Sequence, residues 1–206
     1  MFMKRYLPSQ QLKASMHYYR GVPANINKKF LSKKVDAAFI SSINAKRCRS
    51  PHLGIVAKRE VTSVLILPHK SPKKDKESAT SNILADILGF SGEVVIGDKA
   101  LKYYLENKEH IDLAQEWYER YKLPFVFATL CYHHKTPLIE KIEQRFGKTQ
   151  YKIPQYILQK ASKRTDIAPK AIIEYLKLIS YTIQEKEKRS LKKFLTKAKK
   201  LSSIPK

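Results

Sequence analysis

Acidic side chains are scarce in this sequence. Its 18 Asp and Glu face 41 Lys and Arg, which leaves a formal charge of +23. Such an excess raises nucleic acid as a partner. The lysines are dispersed, however, with knots only at residues 70–76 and 188–200. No zinc-finger spacing, helix-turn-helix pattern or aromatic RNA-binding signature accompanies them, so no nucleic-acid interface is expected. The positive field instead favours an anionic small molecule, which it steers toward a site. Cysteine is nearly absent as well. Cys48 and Cys131 stand alone without a CxxC partner, so neither a metal site nor a disulfide framework follows. Long apolar runs are missing. The opening MFMKRYLPSQQLK lacks the apolar stretch of a signal peptide, and no window approaches a membrane span. A cytoplasmic protein without a membrane partner is expected.

The common catalytic signatures are missing too: there is no GxSxG, HExxH, P-loop or GxGxxG, and no Cys/His nucleophile arrangement. His133 and His134 are adjacent, so they point apart in a strand or loop, and no third ligand is near; no metal is expected. What the chain does have is apolar and aromatic material. With 43% hydrophobic residues, 12 Tyr and 8 Phe, it reads as folded rather than disordered. Its 206 residues suffice for one large core or two small lobes.

The most informative stretch is residues 111–128, IDLAQEWYERYKLPFVFA. It predicts a helix over 113–121, a turn, and a buried strand over 125–130. Pro124 cannot donate to a ladder and therefore stands at the head of that strand. An apolar strand after a helix predicts a crossover in a mixed or parallel sheet of an α/β protein. Upstream, a short helix is predicted at 27–32 and strands at 35–41, 53–57 and 62–67. A charged loop, HKSPKKDK, follows at 69–76. Then come a helix from 78 to 88, a strand at 94–96 and a helix at 99–105. Downstream the pattern is helical. Thr136 and Pro137 suit a helix start and Gly147 its stop. Helices are predicted over 154–163 and 169–183. In the last helix Leu191, Phe194, Leu195, Ala198 and Leu201 fall on one face, and its lysines lie toward the end that the helix dipole favours. The charged loop marks the expected first crossing between lobes. It gives 1–67 as the first part of lobe one, 68–122 as lobe two, and 123–206 as the return strand and C-terminal helices of lobe one. A ligand is expected between the lobes.

Four segments could carry chemistry. In ESATSN at 77–82, Ser78, Thr80 and Ser81 sit at a helix start, where hydroxyls cap orphan amides and the same amides can hold an anion. Three hydroxyls in four positions exceed what capping needs, and carboxylate binding stands beside capping as a reading. In IGDKAL at 96–101, Gly97 permits a sharp turn and close approach to a ligand; Asp98 either caps the next helix or lines a pocket. In VDAAFISS at 35–42, Ser41 and Ser42 lie at the carboxyl end of a strand, where open α/β sheets bind ligands. Helix capping is the alternative for Ser42. In VTSVLIL at 61–67, Ser63 is a polar break at the head of an apolar strand, facing either the surface or a cleft. These residues alone describe a two-lobed, anion-binding α/β protein.

In this order the segments VDAAFISS, GIVAKREVTSVLIL, ESATSNILADIL followed by GEVVIGDKAL, and IDLAQEWYERYKLPFVFA resemble the chorismate dehydratase family of the futalosine route to menaquinone. The tail YLKLISYTIQEKEKRSLKKFL is similar to that family's C-terminal helices. The resemblance implies an α/β, two-lobed type II periplasmic-binding-protein-like fold with mixed sheets and a helical C-terminal tail, used without secretion. It implies a hydro-lyase that removes water from chorismate to give 3-[(1-carboxyvinyl)oxy]benzoate, with no metal or organic cofactor. In the family the substrate's enolpyruvyl carboxylate is proposed to take the proton, which suits a chain with no evident general base. The protein would then orient the substrate and hold its charges by hydrogen bonds. By position, Ser63 matches a serine implicated in substrate handling and is the expected catalytic residue. Ser41, Ser42, Ser78, Thr80, Ser81, Gly97 and Asp98 match substrate-binding positions. Ala79 stands where the family's SRTS form has arginine.

The resemblance also implies an opening strand and a Tyr-Leu-Asn turn, and the matching region of this sequence starts after that point. The 206-residue form is therefore expected to be poorly active alone, and to gain activity from an upstream extension. The competing readings are a non-catalytic small-anion-binding protein of the same fold and a basic nucleic-acid-binding protein. The dihydroxynaphthoate synthase of the same pathway shares the fold, but residues 111–128 favour the dehydratase. The sequence carries no signal for oligomeric state.

Overall fold

The computed structural model describes residues 19, 21–48, 52–146 and 153–203. The opening segment with its missing-turn expectation, and the Gly147 helix stop, lie outside the described residues. Two sheets organise the rest. Strands β1 (Ala37–Ser41), β2 (Leu53–Ala57), β6 (Phe125–Tyr132) and β7 (Ile179–Thr182) form a four-stranded sheet in the order β1-β6-β2-β7. Strands β3 (Val64–Leu67), β4 (Glu93–Ile96) and β5 (Ile111–Asp112) form a three-stranded sheet in the order β4-β3-β5.

Every pairing between these strands is antiparallel. This corrects the expectation of mixed or parallel sheets. The apolar run of β6 arises because it returns between β1 and β2, running against both. Burial in the middle of a sheet, not parallel pairing, makes it hydrophobic. Gly54 of β2 is required by that packing: a Cβ there would lie 2.6 Å from the Ala128 carbonyl oxygen of β6.

The chain leaves the first sheet after Ala57 and joins the second at Val64. The crossing therefore precedes the charged loop at 69–76 that composition marked, and β3 belongs with the second sheet. The charges of that loop serve local pairs. Lys70 and Lys73 reach Glu93 at 3.2 and 3.0 Å, and Lys74 reaches Asp86 at 2.8 Å. Together Lys73 and Lys70 hold the Glu93 carboxyl below its ordinary value.

The helices are α1 (Pro23–Leu31), a 3-10 helix (Ser42–Arg47), α2 (Ala79–Leu88), α3 (Gly97–Leu105), α4 (Leu113–Tyr121), α5 (Pro137–Phe146), α6 (Gln155–Thr165), α7 (Pro169–Lys177) and α8 (Glu185–Ser202). Proline opens α1 and α7, where its fixed φ suits the first turn and its missing N–H has no intrahelical use. The helix expected over 169–183 ends early. Ile179–Thr182, with its β-branched and aromatic residues, becomes β7 and pairs with β2.

Trp117 of α4 is the hub of the main core and is fully buried. Its ring meets Phe125 of β6 and Phe194 of α8 edge-on, at centroid distances of 5.2 and 6.2 Å. Its indole N–H donates to the buried Ser190 hydroxyl at 2.9 Å. Of the apolar stripe on α8, Leu191, Phe194 and Ala198 are buried, whereas Leu201 is exposed.

Two further findings bear on the sequence reading. Cys48 and Cys131 form a disulfide, with Cα atoms 5.2 Å apart. The fold brings together residues separated by 83 positions, which spacing alone does not show. His133 stacks on Phe30 at 4.2 Å, and its Nε2 lies 3.0 Å from the Phe30 carbonyl oxygen, so its role is packing. Among the described residues no helix is long and apolar enough to cross a membrane.

Candidate active site

A cavity of about 890 Å³ is lined from both sheets. The four-stranded sheet contributes Ala37, Phe39 and Ser41 of β1, Ile55 of β2, and Phe127, Ala128 and Leu130 of β6. The three-stranded sheet contributes Val64 and Ile96, with Ser63 and Gly97 beside them. Ser78 and Ser81 add the head of α2, and Tyr175 of α7 completes the polar wall. Lys34 and Asp36, both exposed at the rim, are the charged residues among the lining. Hydroxyls therefore dominate the polar surface within.

Each hydroxyl is set by a specific device. Ser41 ends β1, and Asn27 on α1 grips it twice: the Asn27 side-chain amide donates to Ser41 Oγ at 2.8 Å, and Ser41 N–H donates to Asn27 Oδ1 at 3.0 Å. The Ser41 proton stays free to donate elsewhere. Ser78 is the N-cap of α2 and accepts from the Ser81 N–H at 3.3 Å, while the two hydroxyls lie 2.7 Å apart. First-turn N–H groups of a helix lack intrahelical partners, so this end offers donors to an anion.

Ser63 stands on the chain crossing between the sheets. The residue before it, Thr62, has φ of +57°, a left-handed conformation that β-branched side chains rarely adopt. Holding it costs on the order of 1–3 kcal/mol. Asp112 supplies the restraint. One of its oxygens accepts from Val61 and Thr62 N–H at 2.9 and 2.6 Å, and the other caps α4 by accepting from Ala114 and Gln115 at 2.9 and 3.0 Å. Burial pushes the Asp112 carboxyl above its ordinary value, against these four N–H donors that pull it down. The Ser63 carbonyl in turn accepts from Gly97 N–H at 2.8 Å. Gly97 has φ of +65° and open space where a Cβ would stand, so its requirement is conformational, not steric crowding. The Ser63 hydroxyl lies 3.2 Å from the Tyr175 hydroxyl. Burial pushes the Tyr175 phenol above its usual range, and the Ser63 contact opposes that shift.

Five of the residues singled out in the sequence thus line one cavity: Ser41, Ser63, Ser78, Ser81 and Gly97. Three do not. Ser42 is fully buried and donates to the Val126 carbonyl, pinning the 3-10 helix to β6. Thr80 accepts from Ile43 N–H at 3.2 Å and ties α2 to that same helix. Asp98 turns outward to an ion pair with Arg164 at 2.7 Å. Sequence reasoning passed over Asn27, Thr62, Asp112 and Tyr175. Asp112 before an amphipathic run does signal an N-cap, but its grip on Val61 and Thr62 is a tertiary contact. Nothing local distinguishes Tyr175 from the other tyrosines.

A two-sheet α/β fold with a hydroxyl-lined cavity bounded by both sheets resembles the periplasmic-binding-protein-like class. A crystal structure of protein AF1704 from Archaeoglobus fulgidus superposes with a TM-score of 0.61, covering 92% of this chain and 87% of that one at 12% identity. That likeness speaks for the fold alone. A family model described as menaquinone biosynthesis matches residues 85–200. A chorismate dehydratase of Campylobacter jejuni is 43% identical over 206 residues, covering 98% of this chain and 92% of that protein. A chorismate dehydratase of Thermus thermophilus is 24% identical over 226 residues, covering 84% of this chain and 83% of that protein. The chain belongs to the chorismate dehydratase family of menaquinone biosynthesis. The cytoplasmic expectation is corrected here. The Cys48–Cys131 disulfide is of a kind rare in reducing compartments.

Proposed function

We propose that this protein is a hydro-lyase that removes water from chorismate and releases 3-[(1-carboxyvinyl)oxy]benzoate. We place one lobe of a type II periplasmic-binding-protein-like fold on each sheet, with the substrate between them. The observation that carries this reading is the cavity that brings together Ser41, Ser63, Ser78, Ser81 and Gly97, in a chain 43% identical to a chorismate dehydratase.

The chemistry asks little of the protein beyond placement. The C–H bond at the ether-bearing ring carbon breaks, its electrons enter the ring, and the neighbouring C–O bond breaks. The departing hydroxyl leaves as water with the released proton, and the ring becomes aromatic. The substrate's side-chain carboxylate accepts the ring proton and passes it to the departing hydroxyl, so no protein base is required. This fits a lining in which the carboxylate, Asp36, is exposed at the rim. Ser78, Ser81 and the first-turn amides of α2 hold one carboxylate. Ser63 acts at the reacting centre, and Ser41 orients the ring. The gain comes from positioning and from donors aimed at developing charge.

The test is incubation of the purified protein with chorismate, followed by absorbance and mass. A product lighter by one water, without release of pyruvate, is expected, and Ser63→Ala should slow its appearance. Binding of chorismate with no product at any enzyme concentration would leave a binding protein in place of a lyase.

A further inference from the structure

Tyr175 reaches the cavity from the part of the chain where sequence reasoning saw only helices. It lies on α7, which runs directly into β7 of the four-stranded sheet. Its partner Ser63 stands at the head of β3 in the three-stranded sheet. The 3.2 Å contact between the two hydroxyls is therefore a link from one sheet to the other, made at the cavity wall. No residue of α7 is fully buried, so this helix is not held by a core of its own. Between them the two hydroxyls carry two protons, of which their mutual bond uses one.

We infer that Tyr175 is a substrate-contacting residue, whose hydroxyl joins that of Ser63 in donating to one oxygen of the bound substrate. An oxygen that enters between the two hydroxyls accepts both protons and replaces a single bond by two. The link across the cavity is then made through the ligand. The phenol is suited to this: burial and the nearby Asp98 charge keep it protonated, hence a donor, through neutral and mildly alkaline pH. The inference rests on the reading of this cavity as the chorismate site, and it adds a residue and a specificity to that site. An analogue lacking the oxygen would leave two buried hydroxyls facing an apolar surface, which sites of this kind reject.

The experiment compares the full chain with Tyr175→Phe, Ser63→Ala and the double variant. Chorismate binding is read by calorimetry and turnover by product formation. Tyr175→Phe is expected to weaken binding about tenfold, with KM affected more than kcat, at an unfolding midpoint close to that of the parent. The double variant should lose little beyond the worse single, because the two hydroxyls share one oxygen. A further readout is the ring carbon signal of Tyr175 in tyrosine-labelled protein, identified by its loss in the Phe variant, which should move on adding chorismate. Parent-like binding by Tyr175→Phe with an unmoved signal overturns the inference, while turnover by the parent leaves the lyase reading standing. A parent that neither binds nor converts chorismate removes both.

Discussion

The side-chain amide of Asn27 holds Ser41 at two points, donating to its hydroxyl at 2.8 Å and accepting from its N–H at 3.0 Å. Both residues are buried, and Ser41 lines the cavity while Asn27 does not. A helix residue thus dictates which way a strand-end hydroxyl can donate.

Asn27→Asp separates the two halves of that grip. The carboxylate still accepts from the Ser41 N–H but no longer donates to Ser41 Oγ. The Ser41 hydroxyl then gives its proton to the introduced carboxylate and has none for a ligand. KM for chorismate is expected to rise about tenfold, with the protein still folded by circular dichroism. A KM equal to that of the parent would count against a ligand-facing Ser41.

Asp112 is expected to be sensitive to a change of a single atom. Asp112→Asn places an NH2 group against two backbone N–H donors that the carboxylate accepts. The loss should be on the order of 3 kcal/mol, read as a lower urea midpoint. Release of Thr62 from its left-handed conformation should misplace Ser63, so turnover should fall further than stability alone explains.

The same carboxyl gives a pH dependence of known sign. Its folded value is raised above the ordinary 3.8. The stability it contributes is full below that value and is lost as pH rises through the folded one. The advantage of the parent over Asp112→Asn should therefore narrow with rising pH from 3.8 upward, without vanishing, because the four N–H bonds remain. Urea unfolding of both proteins across that range checks it; a widening gap would be the wrong sign.

Ser190→Ala leaves the Trp117 indole N–H without its partner in a fully buried setting. A loss of about 1–3 kcal/mol is expected, seen by thermal unfolding, together with a shift in Trp117 fluorescence. Ser190→Thr, which keeps the hydroxyl, should recover part of the stability.

Cys48→Ser with Cys131→Ser removes the cross-link over 83 positions. Chain-entropy arguments give a loss of about 2–4 kcal/mol. Reductant should lower the parent's midpoint toward that of the variant and leave the variant unchanged.

Local pattern was legible in the sequence wherever local physics decides. The strand at 53–57 and the helices at 79–88 and 113–121 follow from apolar spacing and caps, and the structure has them. Ser63, Ser78 and Gly97 could be singled out because a polar break before an apolar strand, a hydroxyl-rich helix start and a glycine after a strand are local signs. Pairing direction was not legible: the run Phe125–Tyr132 would be equally apolar in a parallel sheet, and only its return between β1 and β2 decides. The charged loop at 69–76 misled because its lysines answer Glu93 and Asp86, partners set by the fold. Thr80 and Asp98 bore the right residue types for a ligand but face Ile43 and Arg164. Tyr175 and Cys131 acquire their meaning from residues 112 and 83 positions away.

The bond between Cys48 and Cys131 encloses β2 and all three strands of the smaller sheet in one covalent ring. A protease that nicks the backbone anywhere inside that ring cannot release a fragment. The cut protein should migrate as a single band on a non-reducing gel and split into two only after thiol treatment.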